Sequence, residues 1–154
     1  MSRTHLILTA MLGSACLLIG AFAFQYIGGM YPCTLCIWQR WPHAAAVVIG
    51  ILALITGWRA LPLLGGLAAL ASAGIALFHT GVERLWWDGL ASCSGNSIAG
   101  LSMDDLLNPA ITIAAPVRCD VVAWEMFGLS MASWNGLLSL ALMLIWLTAA
   151  RRDT

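Results

Sequence analysis

Four long apolar segments alternate with short polar ones along the chain, at about residues 6–26, 41–58, 61–79 and 133–150. A helix needs about 20 apolar residues to cross a hydrocarbon core about 30 Å thick. Each segment is therefore predicted to be a transmembrane helix. In the third segment, Gly65, Ala69 and Ala73 recur at four-residue intervals, a spacing typical of closely packed membrane helices. The pattern predicts an all-α membrane protein, a four-transmembrane-helix bundle in which residues 1–154 form a single membrane domain.

The first apolar segment also has features of a secretory signal peptide. Arg3 precedes it, and residues 21–23 (AFA) resemble a cleavage site. Its apolar run is longer than the roughly 7 to 15 residues usual in such peptides. We therefore expect the segment to be retained as the first span.

Composition supports the membrane interpretation and excludes several functions. The chain is 61% hydrophobic and 9% charged, whereas soluble domains contain about 25% charged residues. The formal net charge is zero and lysine is absent, so no nucleic-acid partner is expected. Membrane lipid is the expected surroundings of the apolar segments.

The positive charges predict the orientation of the four spans. Two connections, at about residues 27–40 and 80–132, are expected to form loops on one side of the membrane. The side that carries the termini has more arginines, four against three: Arg3, Arg59, Arg151 and Arg152 against Arg40, Arg84 and Arg118. Because short cytoplasmic segments are enriched in positive charge, both termini are predicted to be cytoplasmic and both loops to lie outside.

This topology puts four of the five cysteines on the outer side. Cys33 and Cys36 form a C-x-x-C motif in the first loop, and Cys93 and Cys119 lie in the second. Cys16 lies within the first span, where a thiol behaves as a small hydrophobic group.

The C-x-x-C motif precedes the second span, where a helix dipole favours a reactive thiolate. A redox pair is favoured, with a structural disulfide or half of a zinc site as alternatives. Cys93 and Cys119 lack the paired spacing of a zinc knuckle, and no metal is predicted. A Cys93–Cys119 disulfide could simply stabilise its loop. The second dithiol on the same side instead favours a relay between two redox pairs.

Arg40 follows Cys36 by one helical turn and should share its helix face. A guanidinium at the edge of the bilayer is costly without a partner. It could extend towards lipid headgroups. The alternative is that Arg40 binds a carbonyl oxygen of a quinone and stabilises the Cys36 thiolate.

Two segments carry a resemblance to a known family. Residues 32–40 (PCTLCIWQR) and residues 123–131 (AWEMFGLSM) resemble signatures of the DsbB family of disulfide bond formation proteins. The resemblance covers nearly the whole chain, including four spans and two cysteine pairs in outer loops. One departure is Ala132, where the family often has proline.

The resemblance implies a thiol:quinone oxidoreductase of the bacterial inner membrane that reoxidises a periplasmic DsbA-like partner. By this resemblance, the partner attacks Cys93 of a Cys93–Cys119 disulfide. Cys119 then exchanges with Cys33, and Cys36 is released facing the quinone.

The resemblance also implies a quinone site. Arg40, Trp124 and His79 match residues near the quinone, which could be ubiquinone or menaquinone. The alternative function is a non-catalytic four-helix membrane scaffold with two structural disulfides.

Overall fold

Four long helices form the bundle in a computed structural model that describes residues 2–90 and 117–152. They are α1 (Arg3–Tyr26), α2 (Thr34–Thr56), α3 (Leu61–Glu83) and α4 (Met131–Arg151). All four are long and apolar enough to cross a membrane. The prediction of an all-α, four-helix membrane protein is confirmed.

Local capping explains where the helices begin and end. The side chains of Ser2, Cys33 and Ser130 each accept a hydrogen bond from a backbone N–H three residues further on. These contacts satisfy N–H groups that lack a partner within the helix. Pro62 lies in the first turn of α3, where its missing N–H costs nothing. Gly57 ends α2 in the left-handed conformation, with φ of 67°.

Helix α2 begins earlier than the apolar pattern indicates. The predicted span starts near residue 41, but the helix starts at Thr34 because Cys33 caps it. Pro42 lies inside the helix and removes one backbone hydrogen bond without ending it. The predicted loop at 27–40 therefore stops at Cys33, and Cys36 and Arg40 occupy the first turns of α2.

The small-residue face of α3 packs against α4, as the four-residue spacing predicts. Ala69 and Ala73 are buried. A Cβ atom at Gly65 would lie 2.7 Å from the ring of Trp146, which is fully buried. The glycine allows the indole ring to lie against the backbone of α3.

Contacts at the two ends of the bundle show which segments share a side. Arg3 donates hydrogen bonds to the carbonyls of Gly57 and Trp58, at 3.1 and 3.0 Å. The chain start therefore lies beside the turn that follows α2. At the opposite end, Arg84 donates to the carbonyl of Gly128. This arrangement agrees with the crossing pattern expected of four spans.

A short hairpin precedes α4. Its strands are β1 (Glu125–Met126) and β2 (Leu129–Ser130), paired antiparallel. Phe127 and Gly128 both have positive φ, 55° and 73°, as the two central residues of a tight hairpin turn require. The hairpin occupies the end of the predicted second loop, of which residues 91–116 lie outside the described residues.

Candidate active site

The two thiols of the C-x-x-C motif lie at the start of α2. The Sγ atoms of Cys33 and Cys36 are 2.8 Å apart, and both thiols are free. The backbone N–H of Cys36 donates to the Cys33 sulfur at 3.2 Å. The side-chain hydrogen bond with Cys36, together with burial, raises the pKa of the Cys33 thiol. Cys33 therefore keeps its proton and donates it towards the Cys36 sulfur.

His79 and Glu83, from the last turns of α3, lie beside this pair. The Nε2 atom of His79 is 3.6 Å from the Cys33 sulfur and 3.8 Å from Oε1 of Glu83. Both side chains are nearly inaccessible, at 4% and 5% exposure. The Oε2 atom of Glu83 is buried and has no hydrogen-bond partner within the described part of the chain. The sequence predicts His79 as a site residue but gives no signal for Glu83.

Cys119 reaches the same end of the bundle from the second loop. It is disulfide-bonded and fully buried, and it packs in one cluster with Cys33 and Val82. The prediction that Cys93 is its disulfide partner falls outside the described residues. The fold thus brings together one cysteine from each predicted redox pair.

Arg40 is held against α1. One terminal guanidinium nitrogen donates to Oε1 of Gln25 at 2.6 Å, and the other donates to the carbonyl of Ala21 at 3.3 Å. The guanidinium carbon lies 4.8 Å from the centre of the Phe22 ring. The Nε atom is buried without a hydrogen-bond partner among residues 2–90 and 117–152. Arg40 therefore has a fixed position, and its Nε–H is left without an acceptor among the described residues.

A cavity of about 360 Å³ connects these groups. Five predicted site residues line it: Cys33, Cys36, Arg40, His79 and Trp124. Its other walls are largely apolar, and the ring of Trp124 packs against that of Phe24 with centroids 5.4 Å apart. The site is thus a mostly apolar chamber with a dithiol and a guanidinium at its edge.

A buried polar network supports the site and was not found in the sequence analysis. Gln39 contacts Nδ1 of His79 at 2.8 Å and accepts from Asn135 at 2.7 Å. The Asn135 carbonyl oxygen lies 3.0 Å from Nε2 of His43, which also contacts Ser72 at 3.0 Å. Polar side chains inside apolar spans are a usable signal for such networks. Their pairing across three helices follows only from the tertiary fold.

Comparison with known proteins gives one consistent family. Residues 3–149 match the family model described as Disulfide bond formation protein DsbB. A disulfide bond formation protein B from Xylella fastidiosa (strain Temecula1) is 33% identical, with 91% of this chain and 85% of the relative covered. The corresponding protein of Actinobacillus pleuropneumoniae serotype 5b is 31% identical, with 87% and 77% covered. That of Stutzerimonas stutzeri is 26% identical, with 99% and 98% covered. No solved structure gives a significant match.

Proposed function

The chain belongs to the DsbB family of disulfide bond formation proteins, and on that premise we propose that it is a thiol:quinone oxidoreductase that reoxidises a periplasmic DsbA-like partner. The observation that carries the proposal is that the Cys33/Cys36 pair and Cys119, one member of the second predicted pair, meet at one end of the bundle. The free Cys33/Cys36 dithiol lines the cavity, and the disulfide-bonded Cys119 packs against Cys33. Such an arrangement suits thiol–disulfide exchange, which needs access and a good leaving thiolate.

The proposed exchange begins at the Cys93–Cys119 disulfide. A thiolate of the reduced partner attacks Cys93, forms a mixed disulfide and releases the Cys119 thiolate. Cys119 then attacks Cys33 of the oxidised Cys33–Cys36 pair, so that a Cys33–Cys119 bond forms and Cys36 leaves as a thiolate.

The exchange ends with regeneration of the outer disulfide. The partner's second thiol displaces Cys93, and Cys93 displaces Cys33 from Cys119. The partner leaves oxidised, the Cys93–Cys119 disulfide is restored, and Cys33 and Cys36 hold the two electrons and two protons as a dithiol.

The cavity residues fit a quinone. Small-molecule sites typically have volumes of about 300 to 1,000 Å³, mostly apolar walls and a few convergent polar groups, and the cavity here has these properties. The Nε–H of Arg40 has no acceptor in the part of the chain that the structure describes, and a quinone carbonyl oxygen can accept this hydrogen bond. When bound, the quinone supplies the two-electron acceptor for the dithiol.

Each residue around the cavity has a defined task in this proposal. Arg40 binds a carbonyl oxygen and favours the anionic form of the nearby Cys36 sulfur. His79 contacts the Cys33 sulfur at 3.6 Å and offers a site for its proton. Trp124 and Phe24 contact a flat ring, and the apolar walls exclude water from the dithiol.

The setting of the enzyme is part of the proposal. The chain is a multi-pass membrane protein, and we assign it to the bacterial inner membrane. Both termini face the cytoplasm in this assignment, and both cysteine pairs face the periplasm with the DsbA-like partner.

Anaerobic mixing of the purified protein with a reduced DsbA-like protein and a soluble quinone tests the proposal. We expect quinone reduction and partner oxidation in equal amounts. The Cys36→Ser variant should be inactive, and the His5→Ala variant, altered at the other end of α1, should retain activity. Absence of quinone reduction by the wild-type protein would instead favour the scaffold alternative.

A further inference from the structure

We propose that the reduced Cys33/Cys36 pair, His79 and Glu83 form a four-ligand site for a thiophilic divalent cation, Zn²⁺ in particular. This inference goes beyond the proposed electron relay and differs from the expectation, drawn from spacing, that the chain has no metal site. The fold supplies what the spacing lacks, because two further ligands come from α3 instead of the second loop.

Three of the four donor atoms already lie close to the positions that a tetrahedral metal requires. The two Sγ atoms and a ring nitrogen of His79 lie within 4.8 Å of one another. Zn–S bonds of about 2.3 Å and Zn–N bonds of about 2.0 Å set a sulfur–nitrogen separation of about 3.5 Å. The observed separation between the Cys33 sulfur and Nε2 is 3.6 Å. The two sulfurs, 2.8 Å apart, need to separate to about 3.8 Å, which a small rotation of Cys36 provides.

Glu83 lies outside the group of three residues whose donor atoms are within 4.8 Å of one another, and a rotation of its side chain brings it in as the fourth ligand. Its Oε1 atom is 3.8 Å from Nε2 of His79, close to the separation of about 3.4 Å between oxygen and nitrogen ligands of one zinc ion. Its Oε2 atom is buried without a hydrogen-bond partner among the residues that the structure describes. A buried carboxylate oxygen with no donor is costly unless a cation reaches it.

Gln39 and the helix start complete the surroundings of the site. A ligating imidazole normally directs its second N–H to an acceptor. Gln39 lies 2.8 Å from Nδ1 of His79. Because Asn135 donates to the Gln39 oxygen, the Gln39 amide presents an acceptor to an Nδ1–H once the amides of Gln39 and Asn135 both exchange oxygen and nitrogen. The Cys36 N–H, which donates to the Cys33 sulfur, stabilises negative charge on that ligand.

Metal binding at this site depends on the redox state of the chain. Two metal–sulfur bonds form, and each thiol that is still protonated releases its proton. No electron moves, because Zn²⁺ has no accessible redox change. A bound cation therefore holds the pair as a dithiolate and prevents its oxidation. A closed Cys33–Cys36 disulfide offers no thiolate and should not bind the ion.

Cobalt titration tests the site directly. The detergent-purified chain is reduced, freed of reductant under argon and titrated with Co²⁺. We expect one ion per chain, thiolate-to-cobalt charge-transfer absorption and the strong d–d bands of tetrahedral Co²⁺, all removed by added Zn²⁺. Protein in which the Cys33–Cys36 disulfide is closed should show none of these bands. Absence of charge-transfer absorption from the reduced protein up to millimolar Co²⁺ would overturn the proposal.

Single substitutions identify the ligands. Cys36→Ser should abolish the charge-transfer absorption. His79→Ala and Glu83→Gln should each weaken Co²⁺ binding at least about tenfold. Loss of a group that only hydrogen-bonds to a ligand already costs about 10- to 100-fold in metal affinity, and a ligand should matter at least as much. Cys16→Ser and His5→Ala are matched controls that should bind Co²⁺ normally. Normal affinity in the His79 variant, or loss of binding in Cys16→Ser, would assign the metal to other ligands and refute the site.

This measurement is independent of the proposed enzymatic function. It uses neither quinone nor a protein partner, so a failure of electron transfer leaves its result unchanged. Normal quinone reduction together with absent metal binding would refute only the metal site.

Discussion

Three separate contacts fix the guanidinium group of Arg40. It donates to Gln25 and to the carbonyl of Ala21, and it lies over the Phe22 ring. A side chain that merely extended towards headgroups would not need these partners on α1. In the proposed function, the buried Nε–H, which has no acceptor among the described residues, is the group through which Arg40 binds a ligand in the cavity.

Replacement of Arg40 by lysine tests this role at the level of one side chain. Lysine keeps a positive charge but lacks the planar group that donates in several fixed directions. Loss of a charge-assisted hydrogen bond costs about 1.5 to 3 kcal/mol, or about one to two decades in affinity. We expect Arg40→Lys to raise the apparent KM for quinone at least about tenfold.

A single-turnover control separates ligand binding from thiol exchange in the Arg40→Lys variant. Without quinone, oxidation of the reduced partner should proceed at nearly the normal rate, because that exchange occurs among the cysteines. An unchanged quinone dependence would mean that Arg40 only anchors α2 to α1.

Cys119→Ala tests the order of exchange. The proposed relay has the partner attack Cys93, and Cys119 is the leaving thiol of that step. Without Cys119, Cys93 is a free thiol, and partner supplied with an activated disulfide should be captured by Cys93 as a stable adduct. Non-reducing gels followed by peptide mass analysis identify the linked cysteine. An adduct through Cys33 would contradict the proposed order.

The residues of the C-x-x-C motif can be predicted from the sequence more readily than the other residues of the site. Cys33, Cys36 and Arg40 lie within eight positions of one another at the start of one helix, so their spacing alone predicts that they are close together. Glu83 and Asn135 belong to other helices. Their proximity to the site depends on how α3 and α4 rotate against α2, which hydrophobic periodicity does not specify.

At the level of single helices, α2 illustrates the limit of hydropathy. Its first two turns contain the polar residues Gln39 and Arg40, which lower the mean hydropathy there. Hydropathy therefore places the start of the span too late. The capping contact of Cys33 decides the actual start at Thr34. Capping is a local hydrogen-bond effect, and a cysteine is an unusual residue in that position.

The packing of α3 against α4 gives a prediction with an internal control. A Cβ at Gly65 would lie 2.7 Å from the buried Trp146 ring, whereas one at Gly74 meets nothing within 4 Å. Overpacking typically costs about 1 to 3 kcal/mol, so Gly65→Ala should lower the free energy of unfolding by about that amount. Gly74→Ala should be neutral or stabilising by up to about 1 kcal/mol, because alanine favours helix.

Reversible unfolding in mixed detergent micelles measures both glycine variants against the wild type. The comparison is well matched because both glycines belong to α3. Equal stability of the two variants would show that the Gly65–Trp146 contact does not limit helix approach.

Across the whole molecule, the outer surface of the bundle is apolar. Large side chains such as Ile19, Ile55 and Leu67 are more than half exposed. An uninterrupted surface of this kind is incompatible with a water-exposed monomer and suits lipid. Hydropathy predicts this apolar outer surface well, because the surface depends on the composition of the helices more than on how they pack.

The orientation of the bundle in the membrane is harder to predict from the sequence. The arginine count differs by only one residue between the two sides. The structure adds that Arg3 binds the carbonyls of Gly57 and Trp58, so two of the arginine-bearing segments, the chain start and the turn after α2, are joined at one end. A cation beside the final carbonyls of a helix is favourable, so Arg3 stabilises the end of α2.

Single-cysteine labelling tests which end of the bundle faces the periplasm. The native cysteines are poor reporters, because Cys33 is 4% exposed and Cys119 is fully buried. Asp88 and Thr56 are exposed, one near each end of the bundle. In a chain whose own cysteines are serines, Asp88→Cys should react with a membrane-impermeant maleimide in intact spheroplasts. Thr56→Cys should react only after permeabilisation, because short arginine-bearing segments are retained in the cytoplasm. The reverse pattern would place the dithiol in the cytoplasm, out of reach of a periplasmic partner, and would remove the basis for the proposed relay.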